Sequence, residues 1–154
     1  MVNPVQKTSN GGHMARILVV EDDLITRQML GIMVDALGHI PVFSPDGLHA
    51  LETLAVDPDI QMVITDVVMP RMDGKQLIRT LRDSDRYRSL PIIVTSGIVG
   101  PKDIAELLRT GASRFQPKPI DIAVLEENID SVLNGGEADG FSGHAGLRTD
   151  GINE

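Results

Sequence analysis

Asp66 is the residue of this sequence best placed to do chemistry. It follows an apolar run, rich in β-branched residues, that starts after Gln61, and the chain then turns through Met69-Pro70 and Asp73-Gly74. Such a run predicts a buried strand with Asp66 at its carboxyl end. In an open α/β sheet this edge binds ligands, because helix amino termini and loop amides converge there. We therefore expect Asp66 to face a ligand, and our hypothesis is that Asp66 accepts a phosphoryl group.

A second acidic group follows another short apolar run. Glu21, Asp22 and Asp23 come directly after residues 17–20, which are four aliphatic residues suited to a strand covered on both faces. Carboxylates that crowd together raise one another's pKa unless a cation lies between them, and an all-oxygen site of this kind suits Mg²⁺. Glu21 and Asp22 are therefore predicted to share a metal site with Asp66. Acids at a helix amino terminus can also simply complement the helix dipole, and for Asp23 we expect that role, as a cap.

A hydroxyl and an ammonium group follow the remaining strand-like runs. Thr95 ends the fourth apolar run and Lys118 the fifth. Taken singly, Thr95 would be an ordinary strand terminus and Lys118 an ordinary surface charge. Together with a divalent cation they supply what is needed to neutralise three phosphoryl oxygens around a carboxylate.

The elements that must position these side chains alternate between strand and helix patterns. Strands are predicted at residues 17–20, 40–43, the run ending at Asp66, 91–95 and 113–116, and helices at 24–37, 48–56, 75–82, 101–109 and 120–133. In the first helix the apolar residues spaced for one face, which we expect to pack inward, are Ile25, Met29, Ile32, Met33, Ala36 and Leu37. Gly38 follows this segment and can adopt the left-handed backbone conformation that ends a helix.

This alternation predicts an α/β fold with a doubly wound parallel sheet of five strands and five helices. Right-handed crossovers allow few strand orders, the flavodoxin-like order 2-1-3-4-5 among them. Its switch point lies between strands 1 and 3, which are the strands that end in Glu21-Asp22 and in Asp66.

Length and composition set the outer limits. The 154 residues suit one domain, predicted at 15–134, with a leader at 1–14 ahead of a native start at Met14 and a flexible Gly-rich tail at 135–154. There is no Cys, and no apolar run approaches the roughly 20 residues of a membrane helix. We therefore expect a cytoplasmic protein without disulfides. The net charge of −8 argues against direct nucleic-acid binding.

Residues 15–134 resemble the receiver domain of two-component response regulators over their whole length. Four blocks in family-like order carry the resemblance, namely ILVVEDD at 17–23, TDVVMPRMDG at 65–74, IIVTSG at 92–97 and GASRFQPKP at 111–119. The resemblance implies a domain that takes a phosphoryl group from a histidine kinase or a histidine phosphotransfer protein. Such a domain is a stoichiometric phosphoacceptor that catalyses its own phosphorylation and dephosphorylation, and is not otherwise an enzyme.

The resemblance also implies a role for each matching residue. Asp66 would be the phosphoacceptor, Asp22 a direct Mg²⁺ ligand, Glu21 a ligand through water, and Val68 a ligand through its backbone carbonyl. The residues implied on the phosphoryl side are Thr95 and Lys118, each bonding one phosphoryl oxygen, with a cis bond from Lys118 to Pro119.

Phe115 would be the switch aromatic, moving inward as Thr95 is drawn to the phosphoryl group. That step would reshape the surface of helix 4, strand 5 and helix 5, where a downstream protein target would dock. Family members often have Tyr at this position, so a switch step that needs the Tyr hydroxyl is in doubt here. Val68 and Gly97 stand where relatives often carry polar side chains that influence the hydrolytic water, which favours slow self-dephosphorylation.

Other interpretations remain open. A phosphatase of the haloacid dehalogenase type would need a second Asp two residues after the nucleophile, and the sequence has Val68 there. The domain could instead act as a receiver-like scaffold that needs no phosphorylation. It could also be a fragment of a larger regulator or hybrid kinase, although we favour a stand-alone receiver, since no output module follows residue 133. The cognate kinase, the target and a phosphorylation-linked homodimer cannot be read from the sequence.

Overall fold

The computed structural model describes residues 14–97 and 100–134, so the predicted tail, and the predicted leader apart from Met14, lie outside the described residues. Five strands alternate with five helices: β1 Arg16–Val20, α1 Leu24–Ala36, β2 Ile40–Ser44, α2 Gly47–Val56, β3 Ile60–Asp66, α3 Gly74–Arg82, β4 Ile92–Ser96, α4 Pro101–Thr110, β5 Arg114–Pro117 and α5 Ile122–Leu133. Within these residues no helix is long and apolar enough to cross a membrane.

The strands form one parallel sheet in the order β2-β1-β3-β4-β5. This confirms the flavodoxin-like fold predicted from the sequence. Side chains alternate between the two faces of the sheet: Leu18 and Val20 point into a core shared with α2, α3 and α4, whereas Ile17 and Val19 point into a core shared with α1 and α5. Because helices cover both faces, the central strands are apolar at successive positions.

The apolar face of α1 was predicted wrongly in part. Ile25 and Ile32 are each 71% exposed, whereas Leu30 and Val34 are buried against the sheet. The helix carries apolar residues on two faces. Contact with the sheet decides which of these faces is buried, and the buried face is not the one with more large apolar side chains. Gly31 lies on the packed side, where an added Cβ would fall 2.4 Å from the ring of Phe43. The remaining members of the predicted set divide likewise, with Met33 and Leu37 packed partly against the core and Met29 and Ala36 exposed.

Aspartates cap the amino termini of four of the five helices. Each cap determines where the preceding loop, at the carboxyl edge of the sheet, ends and the helix begins. Asp23 accepts from the N–H of Thr26, as predicted for a cap, and Asp73 forms a reciprocal capping box with Gln76. Asp121 caps α5, so this helix begins at Ile122 and not at Ile120 as the sequence predicted. A capping side chain needs an extended backbone, which places Asp121 outside the helix.

Gly74 is the glycine on which the loop after β3 depends. Its N–H donates to the carbonyl of Val67 at 2.7 Å, and a Cβ at this position would lie 2.2 Å from the carbonyl oxygen of Asp66. The helix therefore starts in direct contact with the backbone of the strand end that carries Asp66.

Replacing Gly74 by Ala is expected to destabilise the domain by about 1–3 kcal/mol, because a backbone oxygen must move to admit the methyl group. The midpoint of urea unfolding measures this effect. Gly97→Ala is the matched control: a Cβ at Gly97 would meet no heavy atom of the described residues within 4 Å. Its effect should stay within about 0.5 kcal/mol. Equal midpoints for the two variants would contradict the close contact at Gly74.

Candidate functional site

The acids, Thr95 and Lys118 of the predicted site lie at the carboxyl edge of the sheet, at or just after the ends of β1, β3, β4 and β5. Val20, the last residue of β1, pairs with Thr65, and Asp66 pairs with Thr95 on the next strand. Lys118 follows the last residue of β5, and its N–H donates to the carbonyl of Ser96 on β4. Neighbouring parallel strands thus bring these residues, which are far apart in the sequence, to one edge.

Three carboxylates come together there. Glu21, Asp22 and Asp66 each offer one oxygen, and these oxygens all lie within 4.8 Å of one another. Glu21 is buried, Asp66 is partly buried and Asp22 is exposed. The donor set is made of hard oxygen ligands that are partly open to water, which fits Mg²⁺.

Lys118 ties two of these acids together. Its Nζ lies 3.2 Å from Oε1 of Glu21, to which it donates a hydrogen bond, and 3.3 Å from Oδ2 of Asp66. The sequence predicted a cation beside the phosphoacceptor, but not the direct bond to Glu21. The bond from Lys118 to Pro119 is cis, as the resemblance implied.

The electrostatics of the site follow from burial and from this pairing. Burial raises the pKa of Glu21, and the charge of Asp66 raises it further, although hydrogen bonds from the Asp23 N–H and from Lys118 act against this. Burial alone would lower the pKa of Lys118, but the charges of Asp66 and Glu21 outweigh burial and raise it. Lys118 therefore stays an ammonium group at neutral pH. A cation added beside Glu21 would favour the charged form of its carboxylate and so act against the rise in its pKa.

The remaining contacts orient Asp66 and Thr95. The other Asp66 oxygen, Oδ1, accepts from the N–H of Val67 at 2.8 Å. Thr95 is fully buried, and its hydroxyl donates only a long bond of 3.5 Å to the carbonyl of Thr65. A bond this long is weak, so the Thr95 hydroxyl would lose little hydrogen-bond energy by turning toward a group added to the neighbouring Asp66 carboxylate.

The roles that the resemblance implies for Val68 and Phe115 stay predictions. Val68 follows two residues after Asp66 in the β3–α3 loop, with its side chain exposed. Phe115 lies in β5, paired with Val94, and packs partly buried against the core beneath α2, α3 and α4.

Two arginines that the sequence did not single out hold the loops of the site. Arg27 Nη1 donates to the carbonyl of Glu21 at 2.8 Å. Arg71 donates from Nε and Nη2 to Oδ2 of Asp46, at 3.0 and 2.8 Å. Arg27 follows the acidic run by one helical turn, which is a usable signal. No sequence signal joins Arg71 to Asp46, because they lie 25 residues apart.

Comparisons with known proteins agree with this architecture. The sequence model of the family described as "Response regulator receiver domain" matches residues 17–130. A chemotaxis protein CheY homolog of Campylobacter jejuni is 30% identical over 126 residues, which cover 81% of this chain and 97% of that protein. The transcriptional regulatory protein CseB of Streptomyces coelicolor is 33% identical over 141 residues, covering 88% of this chain and 58% of CseB.

A solved structure shows the same fold. The signal receiver domain of a signal transduction histidine kinase from Syntrophus aciditrophicus superposes with a TM-score of 0.73 at 29% identity. The match covers 81% of this chain and 94% of that one. The family match spans the four blocks that form the carboxyl edge of the sheet, and this chain belongs to the response regulator receiver domain family.

Proposed function

We propose that Asp66 accepts a phosphoryl group from the phosphohistidine of a histidine kinase or a histidine phosphotransfer protein, with Mg²⁺ held by Glu21, Asp22 and Asp66. The observation that carries this proposal is the convergence of three carboxylate oxygens within 4.8 Å, with the ammonium group of Lys118 3.3 Å from Asp66. The carbonyl of Val68 would complete the protein ligands. When bound, Mg²⁺ supplies positive charge against the charge that develops on the phosphoryl oxygens.

The chemical step needs no general base. An oxygen of the Asp66 carboxylate attacks phosphorus, forming a P–O bond, while the P–N bond of the phosphohistidine breaks and its electron pair returns to the imidazole nitrogen. Lys118, already bonded to Asp66, would neutralise one transferred oxygen, and the Thr95 hydroxyl would donate to another. Each domain takes one phosphoryl group and acts as a stoichiometric acceptor.

The acyl phosphate would act as a switch by changing these contacts. Lys118 now divides its bonds between Glu21 and Asp66, and Thr95 now donates a long bond to Thr65. A phosphoryl group would recruit both side chains, and the space that Thr95 leaves would favour inward movement of Phe115. The surface of α4, β5 and α5 would then bind a downstream protein target, with or without formation of a homodimer.

Labelling with acetyl phosphate and Mg²⁺ tests this function. Uptake of one phosphoryl group per chain, seen by intact-protein mass, is expected. A protein that folds and takes up none would favour the scaffold that works without phosphorylation. The domain fills nearly all of some related proteins and only part of others. Labelling therefore tests whether the domain takes up a phosphoryl group, and not what the phosphorylated domain then acts on.

The aspartyl phosphate is expected to hydrolyse slowly, with a half-life of minutes or longer. Neither Val68 nor Gly97 has a side chain that can bind the hydrolytic water. Val68→Asn should shorten the half-life, measured as loss of the phosphoryl group after the donor is removed. Val56→Asn, at another exposed valine, on α2, is the matched control and should leave it unchanged. A half-life of seconds in phosphatase-free wild-type protein would contradict this prediction.

A further inference from the structure

The loop between β3 and α3 is fastened to the turn between β2 and α2. Arg71 lies in this loop with a φ of 68°, a left-handed conformation that is uncommon for residues other than glycine. Its guanidinium directs Nε and Nη2 at the same oxygen of Asp46, at 3.0 and 2.8 Å. The Asp46 side chain is only 7% exposed, so the ion pair is anchored on a buried carboxylate.

Asp46 is itself fixed by the start of α2. Its other oxygen, Oδ1, accepts from the N–H of His49 at 2.9 Å and caps the helix. Burial on its own would raise the pKa of Asp46, but the bonds from His49 and Arg71 lower it overall, so the carboxylate stays charged at neutral pH. The cap and the ion pair use different oxygens, which allows a substitution to separate them.

Backbone bonds complete the attachment of the loop. The N–H of Gly47 donates to the carbonyl of Met72 at 3.1 Å, and the N–H of Gly74 donates to the carbonyl of Val67 at 2.7 Å. Asp66 and Val68 therefore lie on a segment that is tied at the start of α3 and, through Arg71 and Met72, to the β2–α2 turn.

We propose that the Arg71–Asp46 ion pair is a positioning device for the Mg²⁺ site, holding the β3–α3 loop so that Asp66 and the carbonyl of Val68 are arranged before the ion binds. Neither residue is among the three carboxylates that would hold the ion. This inference rests on the proposed function, since it assumes that the three carboxylates bind Mg²⁺. Outer groups that orient metal ligands commonly change metal affinity by about 10–100-fold when they are removed.

The sign of the effect separates positioning from simple charge. Removing the positive charge of Arg71 would by itself strengthen the binding of a cation, and removing the negative charge of Asp46 would weaken it. A positioning role predicts that both substitutions weaken Mg²⁺ binding to a similar degree. It also predicts that the double variant is no weaker than either single variant, because one interaction is lost in every case.

The experiment uses Arg71→Gln, Asp46→Asn and the double variant of the full chain. Asn is as good a helix cap as Asp, so Asp46→Asn keeps the bond from His49 and removes the charge that binds Arg71. Arg71→Gly is a further variant that loses the ion pair but suits the left-handed backbone. Arg16→Gln is the matched control, since it breaks the Arg16–Asp57 pair of 2.6 Å at the start of β1, away from the carboxyl edge.

Two measurements are made on each protein. Mg²⁺ titration followed by amide NMR gives the dissociation constant, which is expected to rise about tenfold in the Arg71 and Asp46 variants and to stay unchanged in Arg16→Gln. Hydrogen exchange without Mg²⁺ should become faster at Val67 and Gly74 in the variants that lack the ion pair. A loss of overall stability would speed exchange throughout the domain, whereas loss of positioning should speed it in the β3–α3 loop. Arg16→Gln, which breaks an ion pair elsewhere, should leave exchange at Val67 and Gly74 unchanged.

The possible outcomes separate the positioning role of the Arg71–Asp46 pair from the proposed function, which is Mg²⁺-dependent phosphorylation. Wild-type protein that shows no Mg²⁺-dependent shifts overturns the proposed function and this inference with it. Wild-type protein that binds Mg²⁺, together with Arg71→Gln that binds it equally or more tightly, overturns the positioning role alone. Weaker binding in Asp46→Asn but not in Arg71→Gln or Arg71→Gly would assign the effect to charge and overturn it as well.

Discussion

Asp66→Asn is expected to abolish labelling of this domain by acetyl phosphate in the presence of Mg²⁺. Asn has nearly the same shape as Asp, but its neutral amide oxygen is a poor nucleophile toward phosphorus. The substitution also removes one of the three anionic oxygens that lie within 4.8 Å of one another. Intact-protein mass after incubation with the phosphodonor measures the loss. It should be complete, because the two carboxylates that remain, Glu21 and Asp22, would serve as ligands of Mg²⁺ rather than as acceptors.

The controls for this variant follow from its surroundings. Asp85 is 92% exposed, in a surface pair with Arg88, so Asp85→Asn should label like the wild-type protein. Thermal unfolding checks that Asp66→Asn is folded, which we expect because Lys118 keeps its hydrogen bond to Glu21. Labelling of a folded Asp66→Asn protein at the wild-type level would remove Asp66 from the mechanism and would favour a different acceptor.

Most of the fold and the core of the site could be predicted from the sequence, because both depend on local order along the chain. Short apolar runs that alternate with helical patterns specify a parallel sheet, and parallel strands must bring their carboxyl ends to one edge. Glu21, Asp66 and Lys118 each end or follow such a run, so their convergence follows from topology. No knowledge of individual side-chain contacts was needed.

What could not be predicted depends on contacts between distant parts of the chain. The exposed face of α1 was misassigned because Ile25 and Ile32 repeat with helical spacing as regularly as the buried Leu30 and Val34 do. Only the sheet, with Phe43 packed against Gly31, decides which face is covered. The pair of Arg71 and Asp46 was missed for the same reason, since neither residue is unusual in its own segment.

Lys118→Gln is expected to slow phosphorylation of Asp66 by roughly 100–1,000-fold, the usual effect of removing one charged group that stabilises a transition state. Gln is one bond shorter than Lys and can still hydrogen-bond, but it carries no charge that could neutralise a phosphoryl oxygen. The loss would also leave the buried carboxylate of Glu21 beside Asp66 without its ammonium partner, which disfavours an anionic transition state still further. The initial rate of labelling by acetyl phosphate at saturating Mg²⁺ measures the effect.

Two variants make this prediction specific to the position of the charge. Lys75→Gln is the matched control, because Lys75 forms a comparable ion pair of 3.3 Å with Glu106, but this pair joins α3 to α4 and does not involve the three acids. It changes the net charge by the same amount and should leave the rate unchanged. Lys118→Arg retains the charge with a planar fork in place of a compact ammonium group, and should recover only part of the rate. If Lys118→Gln were labelled as fast as Lys75→Gln, the two bonds of Lys118 would be structural, and charge neutralisation at the phosphoryl group would have to come from the metal site alone.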